Sequence, residues 1–325
     1  MEIALLKNIR EKASKLNRTI VLPESHDERV LKAAEIITKE NIAKVITLGN
    51  ENKIKEDAKK LNVSLDNVEI IDFVNSAKFD VYAEEFYNLR KHKGMTIEKA
   101  KETLTRDIFY AAMMVRNNEV SGSVAGSTAS TADVMKAGIL CVGVPQGISV
   151  VSSFFLMLFP DKSYSFADCV VVPNPDSAQL ADIAISTADN HKKLTGEEPC
   201  VAMLSFSTKG SATHEMIDKV ILATKLAQEK RPDLLIEGEI QFDAAVVESI
   251  GTKKAPGSKV AGKANVLVFP DLNAGNIGYK IAQRWGKAEA IGPMVQGLKR
   301  PYFDLSRGAS VDDIVNTAAI NILMG

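Results

Sequence analysis

Thr19-Ile20-Val21-Leu22-Pro23 is a short apolar run. Residues from about Asp27 to Glu40 follow with helical spacing, and Lys44-Val45-Ile46-Thr47-Leu48-Gly49 is a second apolar run. A buried strand, a helix and another buried strand in that order predict a βαβ unit with parallel strands and a right-handed crossover. The pattern extends outward. Residues around 3–16 read as a helix, about 51–61 as another, and Val68-Glu69-Ile70-Ile71 as a third strand. Glu84 to Arg116 is mostly helical, with a break near Lys93-Gly94-Met95-Thr96. The middle of the chain repeats the style with strands at Ala167–Val172, Val201–Ser205 and Ala264–Phe269, and helices at about 177–193 and 212–230. The segment near 140–155 reads as a crossing between domains, and Lys253–Lys263 as a polar loop.

The 325 residues are comfortable for two domains. Hydrophobic residues make up 46% and charged residues 25%, as in ordinary globular chains. Lys+Arg number 40 against 41 Asp+Glu, a formal net charge of −1, so no overall excess points to nucleic acid or an anionic membrane. Cys141, Cys169 and Cys200 are far apart, without metal or disulfide spacing. No apolar run reaches bilayer length and the amino terminus lacks a signal-peptide core, so the expectation is a cytoplasmic protein. His26, His92, His191 and His214 show no metal-like spacing and read as surface or loop residues. Trp285 and Met113-Met114 read as packing residues.

Open parallel sheets bind ligands beyond the carboxyl ends of their strands. Four polar, Gly-containing loops fit such positions: Ser121–Ala132, Ser205–Ser211, Pro270–Gly278 and Gly292–Gly297. Backbone N–H groups at helix starts make such loops ready anion sites. None matches a Walker A loop or a G-x-G-x-x-G fingerprint.

Asp304-Leu305-Ser306-Arg307-Gly308-Ala309-Ser310-Val311-Asp312-Asp313 adds chemistry just before an apolar C-terminal helix (Ile314, Val315, Ala318, Ala319, Ile322, Leu323). An Arg fork binds phosphate with two hydrogen bonds. A hydroxyl can donate to a developing oxyanion, and a carboxylate can take a proton. Together these roles suit acyl transfer to or from phosphate. Ser310-x-x-Asp313 also matches a helix N-capping box.

Leu204–Ser211, Gly238-Glu239-Ile240-Gln241-Phe242-Asp243-Ala244-Ala245, Asn273-Ala274-Gly275-Asn276-Ile277-Gly278-Tyr279-Lys280 and Asp304–Gly308, with Leu22-Pro23-Glu24 and Asp27-Glu28-Arg29, resemble the phosphate acetyltransferases of the phosphate acetyl/butyryltransferase family across nearly the whole chain. The resemblance implies two α/β/α domains with mostly parallel sheets, like the isocitrate and isopropylmalate dehydrogenases, and an active site in the interdomain cleft. The first domain would hold residues 1–155 plus 299–325 and the second 156–298. The implied reaction is acetyl-CoA plus phosphate in equilibrium with CoA plus acetyl phosphate, in a homodimer with no metal or prosthetic group. Coenzyme A and acetyl-CoA are then substrates, not cofactors.

The resemblance assigns Ser306 and Arg307 to the active-site Ser-Arg pair, Asp313 to the base and Arg90 to an active-site arginine. Cys169 would lie near the site. Ser130-Thr131-Ala132-Asp133 is followed by Val134-Met135-Lys136, and Lys136 stands where the family has an arginine. Ser130, Thr131, Asn276, Gly292 and Gln296 are further phosphate or substrate contacts. The expected route is direct transfer in a ternary complex: Asp313 deprotonates the CoA thiol, Ser306 binds the oxyanion, and Arg307, Arg90 and Lys136 hold phosphate. Cys169 sits in an apolar stretch, where an inert thiol is the common state. Phosphate butyryltransferases share the general plan but are less similar in these motifs, and the intact Ser306, Arg307 and Asp313 argue against a silent sensor of CoA or acetyl phosphate. A dehydrogenase would need a metal-binding Asp cluster and a nucleotide fingerprint that the sequence lacks.

Overall fold

The computed structural model describes residues 4–325; the start of the first expected helix, at Ile3, lies outside the described residues. Two compact units emerge. One takes the residues up to Pro145 together with Leu298–Gly325, and the other is Gln146–Gly297.

The chain runs α1 (Ala4–Ser14), β1 (Thr19–Leu22), α2 (Glu28–Lys39), β2 (Lys44–Leu48), α3 (Glu51–Lys60), β3 (Val68–Ile71), α4 (Lys78–Arg90), α5 (Ile97–Leu104), α6 (Asp107–Arg116), β4 (Gly122–Ala125) and α7 (Thr131–Ala137). The second unit follows with β5 (Ser152–Leu158), β6 (Ser163–Ala167), α8 (Ser177–Thr195), β7 (Cys200–Leu204), α9 (Glu215–Lys230), β8 (Leu235–Ile240), α10 (Phe242–Val246), α11 (Glu248–Lys254), β9 (Val266–Val268), α12 (Leu272–Arg284) and β10 (Glu289–Gln296). The chain then returns to the first unit as β11 (Tyr302–Asp304) and α13 (Val311–Met324).

The first sheet has the order β11-β4-β1-β2-β3, and every pair is parallel. Strand alternation sorts the side chains. Val21, Ile46 and Ala125 join a core with Phe86, Phe109, Tyr110 and Met113 from α4 and α6. Helix α13 packs against α1 and α2, burying Ile314, Val315, Ala318, Ala319 and Ile322. Each fully buried Ile, Val, Phe or Met contributes roughly 1.5–3 kcal/mol. The helix starts follow capping chemistry: Asp27, Asn50, Thr96, Ser130 and Ser310 each accept a backbone N–H from the first turn.

The second sheet has the order β10-β5-β6-β9-β7-β8. Pairs β6–β9, β9–β7 and β7–β8 are parallel, while β10–β5 and β5–β6 are antiparallel. Several expectations need correction here. The division falls at Pro145/Gln146, inside the stretch read as a crossing; β5 begins there at Ser152 and pairs into the second sheet, so residues 146–155 belong to the second unit and not to the first. The strand expected at 167–172 is β6, ending at Ala167; beyond it the Asp168 carboxylate accepts from the N–H groups of Val170, Val171 and Val172 and turns the chain. Gly292–Gln296 belongs to β10, where the register shifts between Ile291 and Met294. His191 is buried in α8 with Nδ1 2.9 Å from Ser165 Oγ. Trp285 is 84% exposed at the end of α12 and packs no core.

Candidate active site

Strand β11 delivers Ser306 and Arg307. Leu305 N–H donates to Ala125 O at 2.7 Å, so the strand stays paired with the end of β4 up to the turn. Ala309 N–H then closes onto Ser306 O at 2.9 Å. Leu305 and Ala309 are buried, while Ser306, Arg307 and Gly308 between them are exposed. The turn is held by Arg29, at the start of α2. Its Nη1 donates to Arg307 O (2.9 Å) and Ala309 O (2.7 Å), and its Nη2 to Ser127 O (2.9 Å). Asp27 binds the same guanidinium, 2.6 Å from Nη2 and within 3.2 Å of Nε. One side chain thus joins α2, the loop after β4 and the Ser-Arg turn, and the Ser306 hydroxyl and Arg307 guanidinium are left facing solvent.

Asp313 opens α13 in a full capping box. Its Oδ2 accepts from Ser310 N and Oγ, each at 2.8 Å, and Ser310 Oγ accepts from Asp313 N at 3.1 Å. Both bonds fall on Oδ2, so Oδ1 takes no part in the cap. The exposed carboxylate is fixed in place with one oxygen available.

The loop after β4 departs from its expected role. Its N–H groups turn inward onto Glu24, which is 2% exposed. Oε2 accepts from Gly126 N (2.6 Å), Ser127 N (2.8 Å) and Ser127 Oγ (3.1 Å). Oε1 accepts from Thr128 N (2.9 Å), Thr128 Oγ1 (2.7 Å) and Ala129 N (2.7 Å). Burial alone would raise this carboxyl, but the bonds from Thr128, Ala129 and Ser127 more than offset it and hold the pKa below the usual value. The loop is an anion nest, and its anion is a side chain of the protein. Gly126 is required at its mouth: its φ is +101°, and a Cβ there would run into Asp304 and the Leu305 backbone.

Ser130 and Thr131 follow at the start of α7. Ser130 Oγ caps the helix through Asp133 N at 3.2 Å, and Thr131 Oγ1 donates to Asp304 Oδ2 at 2.7 Å. Asp304, two residues before Ser306, is buried. Burial raises its carboxyl to about 7, against the Thr131 hydrogen bond and with help from the Glu24 charge. Lys136 is exposed on α7 and makes no ion pair among the described residues; the nearby Asp133 is bound instead by Arg106, Nη2 to Oδ2, at 3.1 Å. Arg90 ends α4, half-buried, near the Cys141 thiol; burial pushes that thiol well up, and the Arg116 and Arg90 charges oppose the shift without overcoming it. Among the described residues no hydrogen bond or ion pair joins Arg90 or Lys136 to the Ser-Arg turn.

In the second unit the expected site residues are engaged internally. Burial raises the Cys169 thiol well above its ordinary pKa. Asn276 Nδ2 donates to Cys169 O at 3.0 Å, and Gly275 lets α12 approach the Asp168 carbonyl where a Cβ would clash. Gln296 is 3% exposed and its amide is fully used: Oε1 accepts from Asn190 Nδ2 (3.0 Å), and Nε2 donates to Ser152 Oγ (3.1 Å) and Thr187 Oγ1 (2.8 Å). Gly292 lies at the irregularity in β10. In the loop after β7, the Glu239 carboxylate accepts from Gly210 N at 2.6 Å and Ser207 Oγ at 3.2 Å. Among the described residues no cluster of three or more His, Cys, Asp or Glu is placed to hold a metal, and no helix is long and apolar enough to cross a membrane.

Residues 4–322 match the phosphate acetyl/butaryl transferase family. The chain belongs to that family. It is 48% identical over 325 residues to the phosphate acetyltransferase of Clostridium acetobutylicum, covering 98% of each chain. It is 51% identical over 324 residues to that of Acetivibrio thermocellus, covering 98% of this chain and 97% of the relative. Among solved structures, a phosphotransacetylase from Streptococcus pyogenes superposes with a TM-score of 0.95 at 42% identity, covering 99% of this chain and 98% of the other. Within this family member, sequence reasoning leaves Glu24 and Arg29 without roles. The signal was present in Leu22-Pro23-Glu24 and Asp27-Glu28-Arg29: acids and an arginine directly after a buried strand.

Proposed function

We propose that the chain is a phosphate acetyltransferase, interconverting acetyl-CoA and phosphate with CoA and acetyl phosphate. The observation that carries this reading is full-length similarity to phosphate acetyltransferases at about half identity, together with a Ser306-Arg307 pair held outward on an anchored turn. Starting from acetyl phosphate, Asp313 takes the CoA thiol proton on Oδ1. The thiolate attacks the acetyl carbonyl carbon; the C–S bond forms, and the C–O bond to phosphate then breaks. Ser306 donates to the tetrahedral oxyanion. Arg307, with Arg90 and Lys136, neutralises the departing phosphate. A free thiol has a pKa of about 8.5, so a positioned base contributes roughly 10²- to 10⁴-fold near neutrality.

Transfer is direct, through a ternary complex, and needs no metal or prosthetic group. The buried Cys169 thiol supports this, since only a thiolate would accept the acetyl group. The chain works as a cytoplasmic homodimer. Ile277, Ile281 and Trp285 recur every fourth residue on α12 and are exposed, an apolar stripe that a second copy would cover. The decisive assay follows thioester formation from acetyl phosphate and CoA without added metal, beside propionyl and butyryl phosphate. Acetyl phosphate is expected to give the highest kcat/KM; a higher value for butyryl would move the assignment to a butyryltransferase. Light scattering gives the subunit number.

A further inference from the structure

Strand β1 sits between β4 and β2, and the chain leaves it first toward β2 and later returns at β4. The gap between the carboxyl ends of β1 and β4 is the switch point, where an open parallel sheet ordinarily takes the anionic part of its ligand. Here Glu24 is already there. Six donors from four consecutive residues, Gly126 to Ala129, converge on its two oxygens.

We propose that Glu24 is a positioning residue of the transfer reaction, a resident anion that moulds the loop after β4 and through it sets the Ser-Arg turn. The proposal rests on the phosphate acetyltransferase reading. Turning the Thr128 N–H onto Glu24 directs the Ser127 carbonyl, on the same trans peptide unit, the other way, where Arg29 Nη2 donates to it at 2.9 Å. Arg29 Nη1 holds the carbonyls of Arg307 and Ala309. At the far end of the nest, Ala129 leads into the Ser130 cap and into Thr131, whose hydroxyl is fixed on Asp304 two residues before Ser306. Both routes from Glu24 end at Ser306 and Arg307. Because a carboxylate already fills the nest, substrate phosphate is excluded from it and is met further out, by Arg307.

Glu24→Ala tests this, since it leaves a polar hole of carboxylate size. A folded variant is expected to lose roughly 10²-fold in kcat, the scale of an ångström-level misplacement of catalytic groups. Formate, which supplies a carboxylate small enough for the nest, is expected to restore part of that kcat and to raise the Tm of the variant, with no such effect on the parent; chloride at equal ionic strength is expected to do neither. Unchanged kcat in Glu24→Ala, or formate acting equally on variant and parent, would overturn the proposal. If Glu24→Ala fails to fold, Glu24→Gln serves. It keeps the shape but sets an amide NH₂ against N–H donors, so kcat is expected to fall while the fold holds, and a parental kcat would again overturn the idea. The Tm arm separates the two readings. A parent without acetyl transfer but a variant with formate-dependent Tm would fail the enzyme assignment and leave the nest standing.

Discussion

Ser306 and Cys169 each lie two residues beyond the carboxyl end of a strand, β11 in the first unit and β6 in the second. Both are natural candidates for acyl chemistry, and their turns are built oppositely. After β6, Asp168 sits inside the turn and gathers the N–H groups of the three valines that follow, so the chain closes over a buried thiol. After β11, the turn is held from outside by a guanidinium that grips its carbonyls, and the side chains of Ser306 and Arg307 are left outward. An internal acceptor buries a turn; an external donor displays one. Exposure here goes with which end of the backbone dipoles is held.

The largest expected effect lies on the displayed side. Asp313→Asn keeps capping geometry while removing the base, so kcat is expected to fall about 10²- to 10⁴-fold with the fold intact by circular dichroism. Near-parental activity with a lowered Tm would reduce Asp313 to its cap. Ser306→Ala is expected to lower kcat roughly 10²- to 10³-fold with little change in KM, the cost of losing one oxyanion donor. A change confined to KM would assign the hydroxyl to ground-state binding. Lys136→Ala is expected to raise the KM for phosphate and acetyl phosphate roughly tenfold or more, leaving that for CoA nearly unchanged; Lys136→Arg is expected to keep much of the activity. Parental kinetics in Lys136→Ala would show that α7 does not carry a phosphate contact.

A smaller effect concerns the acid beneath the displayed turn. Asp304 retains its proton in the native state up to about pH 7, whereas the unfolded chain loses it near the ordinary carboxylate value of about 3.9. Between those values the folded state binds more protons, so this group makes stability fall as pH rises through the window. Asp304→Asn is therefore expected to flatten Tm against pH between about 4 and 7, and an unaltered slope would assign the dependence elsewhere. The smallest kinetic effect belongs to the closed turn. Cys169→Ala is expected to keep substantial activity with intersecting initial-rate lines. Parallel lines, or an acetyl thioester trapped on Cys169, would abolish the contrast between the turns.

Much of the fold was readable because one face of each element is apolar. β1, β2, β3, α2, α3, α8 and α9 all lie where apolar runs or helical spacing place them. All seven residues of Ser152–Leu158 are buried, and a strand covered on both faces shows no period-2 pattern; β5, like β1, β2 and β7, is legible only as an apolar run, and its run Phe154–Leu158 starts inside the expected crossing. β10 was hidden by Gly292 and Pro293, which look like punctuation but sit at a register shift within the strand. The apolar run Cys169–Val172 suggested a longer strand because nothing local reveals that Asp168 folds it back. Ser306, Arg307 and Asp313 are close in sequence, so these candidates could be picked out within one window. The contacts of Glu24 and Arg29 reach partners roughly a hundred and nearly three hundred residues away, and no window of sequence contains both ends.

Tyr302–Asp304 pairs with Ser123–Ala125, and that late return has a consequence for biosynthesis. The first unit begins to emerge from the ribosome long before its fifth strand exists. Until Tyr302–Asp304 and Val311–Met324 are made, β4 presents an unpaired edge, and the layer of α1 and α2 lacks α13. Closing so long a loop is slow, and open strand edges attract other chains. Throughout synthesis of the second unit, then, the edge of β4 stays open. Ser306, Arg307 and Asp313 follow the whole second unit in sequence, so a chain broken off within that unit lacks all three.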